Sequence, residues 1–134
     1  MLRLSKDHWQ QMLEDVKAQA PLEACGMLAG NHDRIEKVYP ISNLLVSAVR
    51  FRMAPEEQYK AFMDIQARQL ELLGIYHSHP KGPAQPSPTD LAEFAYPGVL
   101  YLIWFIGEMG WECKCFEITG GQFVTASLEI TTGE

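Results

Sequence analysis

The sequence predicts an α/β (α+β) fold, a mixed β-sheet flanked by helices, and three observations predict it. Segments of helical and of strand periodicity alternate in the order α-β-β-α-β-α-β-β-β. The run at 99–106, VLYLIWFI, is apolar on both of its faces and suits a central strand covered on both sides. Finally, 134 residues with 47% hydrophobic and 21% charged side chains can bury a core without disulfides, so residues 1–134 are expected to form a single domain.

The elements follow in order. Ser5 is a plausible N-cap for a first helix, along which Trp9, Met12, Leu13 and Val16 recur at helical spacing until Pro21 ends it. CGMLAG and RIEKVYPIS read as two strands, with Asn31, His32 and Asp33 supplying the turn. A second helix starts at APEE, 54–57, and Tyr59, Phe62, Met63, Ile65, Ala67 and Leu70 are expected to form one broad apolar face. LLGIYHSH is a strand, and a short helix begins near Ser87 to Asp90 and runs through LAEFA. The strands VLYLIWFI, WECKCFEI and FVTASLEI close the chain, with glycine turns at 107–110 and 120–121.

Charge and composition exclude several function classes. A net charge of −6 and a pI near 5.2 lack the electrostatic footprint of a nucleic-acid binder; Arg50 and Arg52 are the nearest approach to a basic patch. The amino terminus MLRLSKDHWQQ has no apolar run that would make a signal peptide. The longest apolar stretch, 99–107, is too short to span a bilayer. Three cysteines, an odd number, fit a reducing compartment, and the expected location is the cytoplasm with neither membrane nor nucleic acid as partner.

The chemistry concentrates in 75–90, IYHSHPKGPAQPSPTD. Residues i and i+2 of a strand project to one face, so His77 and His79 can aim two imidazoles at one cation. Pro80 then stops the strand and places the pair at its carboxyl end, where α/β sheets commonly hold ligands. Asp90 lies eleven residues beyond His79, beside a helix start, and a loop of that length can return it to the histidines as a third ligand. Two histidines, a carboxylate and one open position make the ligand set of a hydrolytic zinc site. A plainer reading stands beside this one: two packed or solvated histidines, Asp90 as a helix N-terminal carboxylate and Ser87 as its cap.

Hydrolysis at such a centre also needs a base. Glu23 is the best candidate, because it lies in PLEACGMLAG, an apolar, small-residue stretch where a carboxylate is unexpected. Its plain alternative is a side chain facing water between helix and strand. The Ser87 hydroxyl could donate to a developing oxyanion.

Pro21 to Gly30, P-x-E-x-C-G-x-L-x-G, and His77 to Asp90, H-x-H-P-x6-P-S-x-T-D, together resemble the JAMM, or MPN-plus, metalloprotease family. Its signature is a glutamate followed far downstream by His-x-His, seven residues, Ser, two residues and Asp; here the seven are PKGPAQP and every position is filled. The resemblance implies a JAMM/MPN domain with cytidine-deaminase-like architecture, holding one zinc ion on His77, His79 and Asp90 with water as fourth ligand. It implies Glu23 as general base and then acid, and Ser87 as the group that steadies the tetrahedral intermediate. It implies cleavage after the diglycine tail of ubiquitin or a ubiquitin-like protein. The tight spacing of the strands is similar to that of the short standalone prokaryotic members, which release cargo from ubiquitin-like sulfur-carrier proteins. The reading allows a homodimer.

Two alternatives share this pattern. One is a catalytically inactive MPN-type scaffold, although inactive members usually lack a signature residue. The other is a RadC-like, DNA-associated protein, which the Glu23–Cys25–Gly26 context and the acidic charge disfavour. The zinc deaminases are dismissed, because H-x-E and P-C-x-x-C are both missing. Cys25, Cys113 and Cys115 read as packing or strand residues, His8 and His32 as solvated, Trp104 and Phe105 as core, and Trp111 as an exposed partner contact. An extended tail is expected to add as a strand along a sheet edge leading to the metal.

Overall fold

The computed structural model describes residues 1–132. Its elements are β1 (Leu2–Ser5), α1 (Lys6–Gln19), β2 (Cys25–Asn31), β3 (Arg34–Ile41), α2 (Pro55–Ala67), β4 (Glu71–His79), α3 (Pro88–Glu93), β5 (Leu100–Gly107), β6 (Gly110–Thr119), β7 (Gln122–Ala126) and β8 (Leu128–Thr131). The strands form one mixed sheet in the order β7-β6-β5-β4-β2-β3-β1-β8. β4 runs parallel to β5 and antiparallel to β2, and so lies in the middle of the sheet.

The two outermost strands, β7 and β8, are separated in sequence by Ser127 alone. The sheet therefore has to curl until its edges approach one another, and α1 packs on one of its faces. Ser5 caps that helix by accepting the His8 N–H. Its buried Met12 and Val16, with Trp9 beside them, pack on Leu2, Leu4, Leu28, Tyr76, Leu102 and Trp104. On the opposite face Cys25, Met27, Ile75, Tyr101, Ile103 and Phe116 form a second core with Ala61 and Ile65 of α2. β5 supplies alternate residues to both cores, as its continuous apolar run requires.

Four local expectations are corrected. β1 is an additional strand: Leu2 and Leu4 are buried at strand period, but four residues carry too little pattern to announce it, and its partner β8 comes from the far end of the chain. FVTASLEI is two strands, because the chain passes at Ser127 from β6 as neighbour to β1 as neighbour. α3 ends at Glu93, where Phe94 turns extended with ψ 125°. The apolar face of α2 is narrow. Ala61 and Ile65 are buried, whereas Tyr59 is 65% and Met63 48% exposed and Ala67 is also exposed, since the helix meets the sheet mainly at the margins of β3 and β4.

Gly26 has a packing reason. The Tyr76 ring of the adjacent strand lies over it, and a Cβ there would overlap that ring. Tyr76 in turn donates its hydroxyl to Asp15 of α1 at 2.7 Å, which locks helix to sheet.

Candidate metal centre

His77 and His79 end β4 on the face opposite α1, and both are buried. The His77 ring is held between Phe51, stacked at 4.6 Å between centroids, and Tyr101 at 4.9 Å. After Pro80 the chain loops outward and returns at α3. There Ser87 and Asp90 form a capping box: the Ser87 hydroxyl accepts the Asp90 N–H at 3.0 Å, and Asp90 Oδ2 accepts the Ser87 N–H at 2.9 Å. The plain reading of this pair is thus realised, and it has a consequence. The box turns the Asp90 carboxylate back toward the strand end.

The result is a small triangle of donor atoms. Nε2 of His77 and Nε2 of His79 are 2.9 Å apart, and Asp90 Oδ2 lies 3.2 and 3.1 Å from them. Ligands on a tetrahedral zinc at Zn–N distances of 2.0–2.1 Å stand about 3.3 Å from one another. His79 donates from Nδ1 to the Pro83 carbonyl at 2.7 Å, which leaves its Nε2 lone pair facing the triangle. Three donor atoms converging at this spacing fit a metal ion.

Glu23, His77 and His79 also offer donor atoms within 4.8 Å of one another. Asp90 is nearer to both imidazoles than that limit, and its oxygen completes the smaller triangle, so Glu23 is the flanking group. Glu23 is 3% exposed, and its Oε1 is buried without a hydrogen-bond partner. Burial pushes its carboxyl up to about 7, with His79 pulling the other way. Burial lowers the His77 pKa. For His79 burial acts in the same direction, but its bonds to Asp90 and the Pro83 carbonyl prevail and raise it. Burial also opposes ionisation of Asp90, yet its bonds to the two imidazoles hold its pKa well below the usual carboxylate range.

Glu23 precedes β2, outside the strand ladder. Ser78, the residue between the histidines, points to the other face of β4 and accepts the Ala24 N–H at 2.8 Å. Ser78 and Phe51 escaped the sequence reading. The available signal was a hydroxyl between the two histidines and an aromatic between Arg50 and Arg52.

The remaining residues take quieter places. Cys25, whose pKa burial pushes up to about 12, is a buried neighbour of the site. Cys115 is core, and Trp111 packs partly buried on the α1 side rather than standing exposed. Arg50 is paired with Glu93 at 3.1 Å. Among the described residues β4 has strand neighbours on both sides, so its histidine end is not itself a sheet edge. A cavity of about 590 Å³, lined by Arg50, Phe51, Met53, Asp90, Tyr96 and Tyr101 among others, reaches the site instead. Among the described residues no helix is long and apolar enough to cross a membrane.

Residues 5–118 match the family model described as prokaryotic homologs of the JAB domain. The chain is 38% identical over 103 residues to the desampylase of Pyrococcus furiosus, covering 77% of this chain and 72% of that protein. It is 41% identical over 87 residues to a probable TtuB-protein conjugate cleaving protease of Thermus thermophilus, covering 61% and 58% respectively. The solution structure of protein DSY2949 from Desulfitobacterium hafniense matches with a TM-score of 0.89 at 33% identity, covering 99% of this chain and 94% of that one.

Proposed function

The chain belongs to the prokaryotic branch of the JAB, or JAMM, family, and on that premise we propose that it is a zinc peptidase that cleaves the amide bond after the diglycine tail of a ubiquitin-like or sulfur-carrier protein. The observation that carries the reading is the triangle of His77, His79 and Asp90 donors with an unpaired, buried Glu23 carboxyl at its flank. Relatives named as a desampylase and as a conjugate-cleaving protease support the substrate class.

In this reading His77, His79 and Asp90 hold the ion. A zinc ion there supplies Lewis acidity and brings the pKa of a water down toward ~7. Glu23, buried at the flank of the triangle with Oε1 unpaired, is placed to take a proton from the attacking water and to return it to the leaving amine. Ser87 accepts the Asp90 N–H through its oxygen, so its own O–H remains available for the oxyanion. Lying over the sheet face, the cavity accommodates an extended tail, with Tyr101 and Phe51 as its floor near His77. Side chains crowded around the triangle favour glycine at the scissile end.

The test pairs metal analysis with cleavage of a diglycine-linked carrier fusion. Wild-type protein is expected to hold one zinc per chain, His79→Ala to lose it, and Glu23→Gln to keep it without cleaving. Full metal occupancy in His79→Ala overturns the ligand set, and an active Glu23→Gln overturns the base. Replacing the penultimate glycine of the tail by alanine should abolish cleavage.

A further inference from the structure

Glu23 lies outside the β2 ladder, so no strand neighbour fixes its peptide groups, and a buried unpaired amide is costly. Both groups are instead bonded to one loop, residues 42–54 between β3 and α2. The Glu23 N–H donates to the Ser47 carbonyl at 2.7 Å. Its carbonyl accepts from Asn43 Nδ2 at 3.1 Å.

Asn43 does more than close that contact. Nδ2 also donates to the Arg50 carbonyl at 3.0 Å, and Oδ1 accepts the N–H groups of Leu45 and Arg52, each at 3.0 Å. Both ends of the carboxamide are thus doubly used. The base of the loop is closed by Ala54 N–H to the Ser42 carbonyl at 3.0 Å, by Leu44 N–H to the Arg52 carbonyl at 2.8 Å, and by an isolated bridge between Asn43 and Met53. The same loop lines the cavity with Leu45, Arg50, Phe51 and Arg52, and Phe51 stacks on His77. One carboxamide therefore joins the cavity wall to the backbone of Glu23.

We propose that Asn43 is a positioning residue for Glu23, which makes the 42–54 loop and the general base one hydrogen-bonded unit, so that a tail seated in the cavity sets where the Glu23 carboxylate stands. This rests on the reading of Glu23 as the base. Misplacing a catalytic group by an ångström costs on the order of a hundredfold in rate. A residue of this kind acts on kcat more than on KM.

Asn43→Asp tests the tether with little change of shape. It keeps the acceptors for Leu45 and Arg52 and removes both donors, including the one to Glu23. Asn43→Ala removes the donors without adding charge. In zinc-loaded protein acting on a diglycine-linked carrier fusion, both variants should lose at least about tenfold in kcat, with KM within about twofold and metal content unchanged. In metal-free protein, amide hydrogen exchange at Glu23 should quicken by about tenfold or more, while Ala24, held by Ser78, keeps its protection. A kcat within twofold of wild type in both variants, a rise in KM alone, or unchanged exchange at Glu23 overturns the proposal. An active Glu23→Gln removes the base reading instead, and the exchange comparison still decides whether Asn43 positions that segment.

Discussion

The hydroxyl of Ser78 accepts the backbone N–H of Ala24 at 2.8 Å, and the Ser78 N–H returns to the Ala24 carbonyl at 3.0 Å. The residue between the two histidines is therefore no spacer. It fastens the strand that carries the histidines to the segment that carries Glu23, two parts of the site that lie far apart in sequence. Replacing Ser78 by alanine leaves a buried N–H without its acceptor and should cost about 1–3 kcal/mol of stability. Chemical denaturation measures that cost, and kcat should fall while zinc content is kept. Unchanged stability would show that water replaces the hydroxyl without loss.

The second prediction concerns pH. Burial raises the Glu23 carboxyl from its ordinary value to about 7, so the folded, metal-free protein binds a proton there that the unfolded chain has already released. The stability tied to that proton is complete below the unfolded pKa near 4.5 and is lost as pH rises through about 7. Glu23→Gln removes the titration, so its melting temperature relative to wild type should climb between pH 5 and 8 in metal-free protein. Parallel melting curves across that range would contradict the raised pKa.

Ser87 should separate stability from rate. Its hydroxyl caps α3, and loss of such a cap costs about 1 kcal/mol. Loss of an oxyanion donor costs on the order of a hundredfold in kcat. Ser87→Ala is expected to show both effects with zinc still bound. A variant whose kcat stays near wild type leaves Ser87 with the capping role alone.

Zinc itself should act as a stabilising ligand. The folded chain presents a preformed donor set, so on the proposed reading excess zinc added to metal-free protein should raise the melting temperature with the logarithm of its concentration. His79→Ala and Asp90→Asn should lose most of that rise. An equal rise in both variants places the bound zinc elsewhere on the chain.

Gly26 carries a prediction about the fold. An alanine Cβ there meets the Tyr76 ring, which is fully buried and hydrogen-bonded to Asp15 and so has little room to retreat. Gly26→Ala should destabilise the protein by about 1–3 kcal/mol, as overpacking does. Thermal unfolding with circular dichroism measures it, and a neutral substitution would mean that the ring moves freely.

Much of the fold is legible in the sequence because its elements carry strong local patterns. α1 announces itself through Ser5 and the helical recurrence of Met12 and Val16, and β5 through a run with no polar face. β1 escapes, and β8 is read as one strand with β7, because β1 and β8 are each four residues long and pair with one another across the length of the chain. The exposed Tyr59 and Met63 mislead for a related reason: periodicity shows that a helix has an apolar side but not how much of it a neighbour covers.

Of the site, the sequence by itself determined the donor chemistry. Two histidines at strand period, an aspartate in a helix cap and a carboxylate in an apolar stretch are written as residue types and spacings. Tertiary structure alone decided which atoms meet. The capping box aims Asp90 Oδ2, the Pro83 carbonyl sets the free nitrogen of His79, and Ser78 and Asn43 hold the Glu23 segment. Apart from the capping box, which is local to Ser87–Asp90, those are hydrogen bonds between segments distant in the chain or made by a loop carbonyl. Their partners follow from the path of the backbone in space, which no local pattern encodes.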